Sequence, residues 1–203
     1  MRTRPFELPL LDALIQGYDA WATSYDRDVR DLGYRTPKHV ADAVCQQIGD
    51  HDAHLLDVGA GTGLLGEEMY HRGYRHLIGI DASYGMLAQA ARKGTYRMLS
   101  RMVLGHPLGF AYQIFDGVMA AGVFSSHHVP PESLWDLHRI VRPGGWIIFS
   151  LKWDGNFKKA NLAAGQHLEE QGRWQPHGTS GVYASWPQAD PGMQTRVLVY
   201  KVL

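Results

Sequence analysis

The sequence predicts an α/β protein built on a doubly wound, mainly parallel sheet, and three observations lead to this prediction. From residue 37 onward, short apolar runs alternate with segments of helical periodicity. A glycine-rich turn at residues 59–63 closes the first of those runs. Near the end of the chain, two extended runs flank a turn sequence, which is typical of a hairpin. Strands that alternate with helices in this way form βαβ units, and the hairpin would add an antiparallel element at one edge.

Five apolar runs are predicted as strands, because each is short and bounded by glycine, proline or polar residues. They are residues 54–59, 76–81, 96–104, 115–121 and 146–151. The terminal hairpin joins residues 181–186 to residues 195–203 through the turn sequence PQADPG.

The helices between these strands are predicted from their apolar spacing and from the residues at their ends. Pro37 suits the first turn of a helix, and Ser83 is a suitable N-cap for a helix that stops at Gly94. Gly73 ends the helix that follows the glycine-rich turn. Two later helices are predicted over residues 131–141 and 156–171, and the sequence RPGG at residues 142–145 is predicted as a turn.

Length and the lack of a long apolar segment indicate one soluble domain, 1–203. Residues 1–36 are predicted as an N-terminal lid or helical segment, and residues 37–203 as a sheet core that ends in the hairpin 181–203. Twenty basic side chains balance twenty acidic ones without a basic stripe, so nucleic acid is not an expected partner. A single cysteine cannot form an internal disulfide, and no apolar segment approaches the ~20 residues of a membrane helix. We expect a cytoplasmic protein without membrane contact or a metal site, and the sequence predicts no particular oligomeric state.

A candidate cofactor site lies at the end of the first predicted strand. Asp57 stands just before three alternating glycines, Gly59, Gly61 and Gly63, which allow a tight turn and close approach of a ligand to the main chain. Asp81 ends the next predicted strand, where a carboxylate can accept hydrogen bonds from the two hydroxyls of a ribose. The pattern therefore predicts a cofactor that contains a nucleoside.

Two classes of cofactor fit this pattern. Gly61, Gly63 and Gly66 also match the G-x-G-x-x-G fingerprint of dinucleotide sites, so an NAD-type oxidoreductase is the alternative hypothesis. Asp57 argues against it, because a carboxylate there would repel a pyrophosphate but accept a cationic amino group. Met86 follows Asp81 closely enough to cover one face of a purine.

In four ordered motifs, the chain resembles the class I S-adenosylmethionine-dependent methyltransferases. LLDVGAGTGLLGEEM is similar to their first motif, GIDASYGMLAQAARK to their second, and FDGVMAAGVF and RPGGWIIFSLK to later ones. Within that superfamily the chain is most similar to the Williams–Beuren region methyltransferase-like proteins, through YDAWATSYDRDV, GYRTP and FDGVMAAGVFSSHHVP. The resemblance implies a Rossmann-like seven-stranded sheet with its last strand antiparallel, and S-adenosyl-L-methionine as the cofactor.

The resemblance also implies where the cofactor is held. The glycine-rich turn would approach its methionyl part, Asp81 its ribose, and the residues after the fourth strand its sulfonium. The predicted cofactor-binding residues are Trp21, Tyr25, Arg35, Asp57, Gly59, Ala60, Gly61, Gly63, Asp81, Ala82, Met86, Leu104, Ala121 and Gly122. Many family members carry an acid after the third strand, near the adenine amino group. The corresponding sequence here, LGHP, has none, so we expect a backbone carbonyl to make that contact.

Several candidate residues have two interpretations each. Trp21 and Tyr25 either belong to a lid over the cofactor or pin a helix to the core. Arg35 either pairs with the cofactor carboxylate or is solvated. His127 and His128 are candidates for a general base, and the other interpretation is a histidine pair that caps a loop.

The predicted reaction is in-line methyl transfer to a nucleophilic acceptor. The even charge distribution favours a small molecule as that acceptor. A catalytically silent cofactor-binding module is a further alternative. Four aromatic residues could wall an acceptor pocket or pack in the core: Trp153, Trp174, Tyr183 and Trp186.

Overall fold

The computed structural model of the protein describes residues 8–124 and 129–203, and it confirms the predicted fold class. In the described residues eight strands form one sheet; three helices precede its first strand, and four more lie between successive strands. The helices are α1 (Leu8–Trp21), α2 (Tyr25–Asp31), α3 (Thr36–Gln47), α4 (Leu64–His71), α5 (Tyr84–Lys93), α6 (Ser133–Ile140) and α7 (Gly155–Glu170). The strands are β1 (Leu55–Val58), β2 (Leu77–Asp81), β3 (Met98–Arg101), β4 (Phe115–Phe124), β5 (Val141–Lys152), β6 (Trp174–Thr179), β7 (Tyr183–Trp186) and β8 (Asp190–Val202).

The strand order puts the first strand in the middle of the sheet. The order is β3-β2-β1-β4-β5-β8-β6, and β7 pairs with β8 beside this path. Strands β1 to β5 are parallel, whereas β8 runs antiparallel to β5. The chain leaves β1 towards β2 on one side and returns to β4 on the other, so the carboxyl ends of β1 and β4 form the switch point where such sheets bind ligands.

The central strands are buried because helices cover both faces of the sheet. Leu56, Ile80 and Phe149 belong to a core cluster that includes side chains of α6 and α7. Leu55 and Leu77 belong to a second cluster, with side chains of α3 and α4. This two-sided burial explains why these strands are continuous apolar runs in the sequence.

The structure differs from the sequence-based prediction at the carboxyl-terminal side of the sheet. The sequence does not predict β6. Its sequence WQPHGT contains a proline and a glycine, and the strand lies at one edge of the sheet. The sheet has eight strands instead of the predicted seven: β6 is the additional strand, and the predicted strand at residues 181–186 is β7, which pairs with β8 beside the main path. The predicted turn at residues 142–145 lies inside β5 instead. Phe115 pairs with Val141 and Gly117 with Trp146, so the intervening residues bulge out of the ladder.

The two N-terminal helices pack beside the carboxyl ends of the strands. Asp19 in α1 accepts hydrogen bonds from the Ser83 hydroxyl (2.5 Å) and the Gly85 amide (2.7 Å) at the start of α5. Asp26 in α2 accepts one from the Thr62 hydroxyl at 2.5 Å and pairs with Lys93 at 2.7 Å. Acidic side chains therefore attach the predicted lid segment to the glycine-rich turn and to α5.

Candidate functional site

A cavity of about 330 Å³ opens at the carboxyl ends of the parallel strands. It is lined from the β3 side of the sheet to the β8 side, and the N-terminal helices contribute its outer wall. Its lining residues are Leu11, Leu14, Ile15, Tyr18, Tyr25, Tyr34, Thr36, Gly59, Gly61, Ile80, Asp81, Ala82, Ser83, Met86, Met102, Val103, Leu104, Ala121, Gly122, Val123, Val129, Ser150, Lys152, Ser185, Trp186, Met193 and Thr195. The cavity is thus where the topology predicts a ligand.

The glycines of the loop after β1 are required for different reasons. Gly59, Gly61 and Gly63 all have positive φ angles (68°, 54° and 89°), a conformation that favours glycine. A Cβ on Gly59 would also lie 2.3 Å from a methyl carbon of Val123. A Cβ on Gly61 would meet no atom within 4 Å, because this residue faces the open cavity.

Asp81 reaches the cavity from the end of β2 and organises the backbone around it. One carboxylate oxygen accepts a hydrogen bond from the Gly61 amide at 2.8 Å, and the other accepts one from the Ser83 amide at 2.8 Å. Burial raises the pKa of Asp81, while these backbone hydrogen bonds act in the opposite direction. The predicted N-cap is confirmed, since the Ser83 hydroxyl accepts from the Met86 amide at 3.0 Å.

Asp57 lies at the end of β1 and is almost completely buried. One of its carboxylate oxygens accepts a hydrogen bond from the Tyr96 hydroxyl at 2.5 Å. The other oxygen has no hydrogen-bond partner within the described part of the chain. The pKa of Asp57 is raised to about 7: burial is the largest cause, the Tyr96 hydrogen bond acts in the opposite direction, and the neighbouring Asp81 adds to the increase.

The aromatic residues of the N-terminal helices divide into two groups. Tyr18 and Tyr25 line the cavity, and burial raises the pKa of both hydroxyls. Trp21 lies behind them, with its ring 4.7 Å from the Tyr25 ring and its indole N–H donating to Asp28 at 2.8 Å. Trp21 therefore supports the wall of the cavity through Tyr25, without lining the cavity itself.

Most of the predicted cofactor-binding residues line the cavity: Tyr25, Gly59, Gly61, Asp81, Ala82, Met86, Leu104, Ala121 and Gly122. The others lie outside its lining: Trp21, Arg35, Asp57, Ala60 and Gly63. Arg35 is exposed, as expected if its side chain is solvated, and Gly63 packs against Tyr96 and Ala90. Contact of each of these residues with a cofactor stays a prediction.

The side of the cavity that β5, β7 and β8 line contains residues that the sequence did not indicate. Ser150 and Lys152 come from the carboxyl end of β5, and the ligand-binding edge of a doubly wound sheet includes this strand end as well. Tyr34 stacks on Trp186, with ring centroids 4.3 Å apart. Trp186 lines the cavity, as expected from the interpretation that it forms a pocket wall. Trp174, in contrast, is a core residue.

His127 and His128 lie outside the described residues, so their role as a general base stays a prediction. Within residues 8–124 and 129–203, no group of three or more His, Cys, Asp or Glu side chains is arranged to hold a metal ion. None of the helices in that part of the chain is long and apolar enough to cross a membrane.

The cavity fits S-adenosylmethionine, the cofactor that the family resemblance implies. Gly61 leaves open the space that a side chain would fill, next to the main chain of the loop. Asp81 places a carboxylate at the end of β2, in a position from which it could accept hydrogen bonds from ribose hydroxyls. Met86 and Leu104 supply apolar walls of the kind that an adenine ring needs.

Comparison with known proteins agrees with this geometry. The methyltransferase domain family matches residues 56–149. Methyltransferase-like protein 27 of Homo sapiens is 36% identical over 174 residues, which cover 83% of this chain and 71% of the relative. A malonyl-[acyl-carrier protein] O-methyltransferase of Coxiella burnetii is 25% identical and matches 93% of this chain and 64% of its own length.

Solved structures share the fold. Magnesium protoporphyrin IX methyltransferase from Synechocystis PCC 6803 superposes with a TM-score of 0.69 at 17% identity, covering 98% of this chain and 100% of that one. A methyltransferase from Haloferax volcanii, solved with the Trm112 activator, gives a TM-score of 0.66 at 16% identity, with 91% and 97% covered. These findings confirm the predicted family: the chain belongs to the S-adenosylmethionine-dependent methyltransferases and is an enzyme that takes S-adenosylmethionine as its cofactor.

Proposed function

We propose that this enzyme transfers the methyl group to a small-molecule acceptor, which binds in the part of the cavity between Gly122 and Trp186. The observation that carries the proposal is the extent of the cavity along the sheet. Asp81 and Met86 lie on its β2 side, whereas Lys152 and Thr195 lie on its β5 and β8 side. With the nucleoside on the β2 side and the sulfonium near the switch point, the β5 and β8 side is left for an acceptor.

The lining of the acceptor side supports a small molecule. Of the cavity-lining residues that the structure describes, only Asp81 and Lys152 carry a charge, which is a poor basis for holding a polyanion. Lys152 is already paired with Asp154 at 3.1 Å. The stacked rings of Tyr34 and Trp186 and the buried Thr195 form a mainly apolar wall with a few hydroxyl groups. Such linings are typical of sites for small organic ligands.

The chemistry requires little covalent participation from the chain. The sulfonium of the bound cofactor supplies a methyl group that is already activated for attack. The cavity residues would hold the acceptor in line with it, and Tyr18 and Tyr25 would exclude water. A general base is needed only when the acceptor enters protonated.

Asp57 is proposed to stabilise the ammonium of the methionyl part of the cofactor. A buried carboxylate is costly unless a positive charge or hydrogen bonds compensate it. Tyr96 compensates one oxygen, and the second has no hydrogen-bond partner among the described residues. A cation bound against the adjacent glycine-rich loop would supply the missing compensation, although Asp57 itself lies just behind the cavity lining.

The acceptor class can be tested with methyl-labelled S-adenosylmethionine and a cell extract separated by size. We expect label in the small-molecule fraction. Trp186→Ala should reduce that transfer and leave the dissociation constant of S-adenosylhomocysteine unchanged, because Trp186 lies on the acceptor side. Asp81→Asn is the matched control, and it should weaken S-adenosylhomocysteine itself.

Three results would contradict the proposal. Label found only in the macromolecular fraction would point to a protein or nucleic acid substrate. A Trp186→Ala variant that binds S-adenosylhomocysteine as poorly as Asp81→Asn would mean that the two sides of the cavity are not separate. Binding of S-adenosylhomocysteine without transfer to either fraction would favour the catalytically silent module. A parallel titration with NADH addresses the oxidoreductase alternative.

A further inference from the structure

Tyr96 is packed against the glycine-rich loop from behind. It precedes β3, and its ring lies against three glycines of neighbouring elements. A Cβ on Gly66 would lie 2.2 Å from the Tyr96 hydroxyl oxygen, one on Gly79 3.1 Å from its ring, and one on Gly63 3.2 Å from its ring. The third glycine of the apparent dinucleotide fingerprint is thus needed to make room for a tyrosine.

The hydroxyl of Tyr96 joins the two elements on either side of the loop. It donates a hydrogen bond to Asp57 at the end of β1 (2.5 Å), and it accepts one from the Gly66 amide in the first turn of α4 (3.1 Å). The Gly66 amide is one of the helix-terminal N–H groups that have no partner within the helix, so the tyrosine satisfies it. One hydroxyl group thereby connects the Asp57 carboxylate at the end of β1 to the first turn of α4, on the two sides of the glycine-rich loop.

The groups that face the Asp57 carboxylate determine its charge. They are the Tyr96 hydroxyl, which favours the ionised form, and the Asp81 carboxylate, which disfavours it. Burial also disfavours ionisation and is the largest influence, and together these leave the pKa at about 7. Because this pKa is close to neutral pH, a modest change in the Tyr96 hydrogen bond decides whether Asp57 is charged there.

We propose that Tyr96 is a positioning residue for the cofactor: its hydroxyl holds the Asp57 carboxylate and the first turn of α4 in the arrangement that stabilises the ammonium of the methionyl group. The inference rests on the proposed role of Asp57. Tyr96 acts through Asp57 and does not line the cavity. Its contribution should therefore be confined to ligands that carry the ammonium.

Two ligands separate this role from general support of the loop. S-adenosylhomocysteine carries the ammonium, whereas 5′-methylthioadenosine has the same nucleoside and thioether without the amino-acid part. At about pH 7.5, Tyr96→Phe should weaken S-adenosylhomocysteine about tenfold or more, which is the scale of one charge-assisted hydrogen bond. The same variant should change the affinity for 5′-methylthioadenosine by less than about twofold. Tyr70→Phe, on the partly exposed face of α4, is the matched control and should change neither affinity.

The pH dependence provides a second measurement. In the wild-type enzyme, the ratio of the two affinities should shift against S-adenosylhomocysteine as the pH falls from about 8.5 to about 6, because Asp57 takes up a proton. In Tyr96→Phe the midpoint should move to higher pH. The wild-type measurement does not depend on the folding of any variant.

The outcomes distinguish this inference from the proposed role of Asp57. If Asp57→Asn weakens S-adenosylhomocysteine selectively but Tyr96→Phe does not, the role of Tyr96 is overturned and that of Asp57 stands. Equal weakening of both ligands by Tyr96→Phe would reduce Tyr96 to structural support of the loop. A wild-type affinity ratio that stays constant across this pH range would overturn both.

Discussion

Replacing Gly66 by alanine should destabilise the protein, and the same replacement should stabilise it once Tyr96 is shortened to leucine. Gly66 lies in the first turn of α4, where alanine is intrinsically preferred over glycine by about 1 kcal/mol. Its new Cβ would lie 2.2 Å from both Cζ and the hydroxyl oxygen of Tyr96, and 2.7 Å from Cε2. Leucine lacks all three of those atoms, so Tyr96→Leu removes the clash and keeps an apolar side chain.

The expected magnitude follows from opposing contributions. In the wild-type background, overpacking costs about 1–3 kcal/mol and disturbance of the hydrogen bond between the Gly66 amide and Tyr96 about 1 kcal/mol. The helix preference offsets about 1 kcal/mol of this, so Gly66→Ala should lower the free energy of unfolding by about 1–3 kcal/mol. In the Tyr96→Leu background, only the favourable helix preference remains. The coupling energy between the two sites is then about 2–4 kcal/mol.

The assay is urea unfolding of the wild-type protein, the two single variants and the double variant, followed by circular dichroism. Gly17→Ala provides a control, because Gly17 lies within α1 and a Cβ there meets no atom within 4 Å. That control should be neutral or stabilising in both backgrounds. Effects of Gly66→Ala and Tyr96→Leu that add to within about 0.5 kcal/mol would refute the packing argument.

Three other predictions concern the site. Asp81→Ala should weaken S-adenosylhomocysteine by about 1–3 kcal/mol in a calorimetric titration, since its carboxylate holds two loop amides and faces the cavity; unchanged affinity would place the ribose elsewhere. Asp57→Asn should raise the free energy of unfolding near pH 8 but not near pH 4. The native pKa of Asp57 is about 7 and its unfolded value is about 3.9, so the wild-type protein loses stability as the pH rises between these values. Asparagine does not ionise and avoids that loss. The opposite pH trend would contradict it. Amide exchange across residues 18–33 should slow when S-adenosylhomocysteine is added, while exchange in the central strands should change little. Trp21→Ala should diminish that slowing, because Trp21 supports Tyr25. Equal protection with and without ligand would assign Trp21 and Tyr25 a purely structural role.

Local patterns in the chain were sufficient to predict the parallel core of the fold. The central strands are covered on both faces, so each is a continuous apolar run, and Ser83 caps α5 as its sequence position indicates. Strand β6 was missed because an edge strand with proline and glycine lacks that apolar signal. The bulge in β5 was predicted as a turn because the sequence RPGG is typical of both.

The sequence by itself also determined the position of the loop and of the acid of β2, and the resemblance of its four ordered motifs to a known family indicated the class of cofactor. The loop and the acid depend on residues whose spacing along the chain is set by strand and helix geometry. The partners of Asp57, Gly66 and Trp186 were decided by the tertiary structure, since Tyr96 lies 39 positions from Asp57 and the Tyr34 ring reaches Trp186 from another part of the chain. Contacts between distant segments depend on how helices and strands pack against one another, and no local spacing in the sequence records that packing.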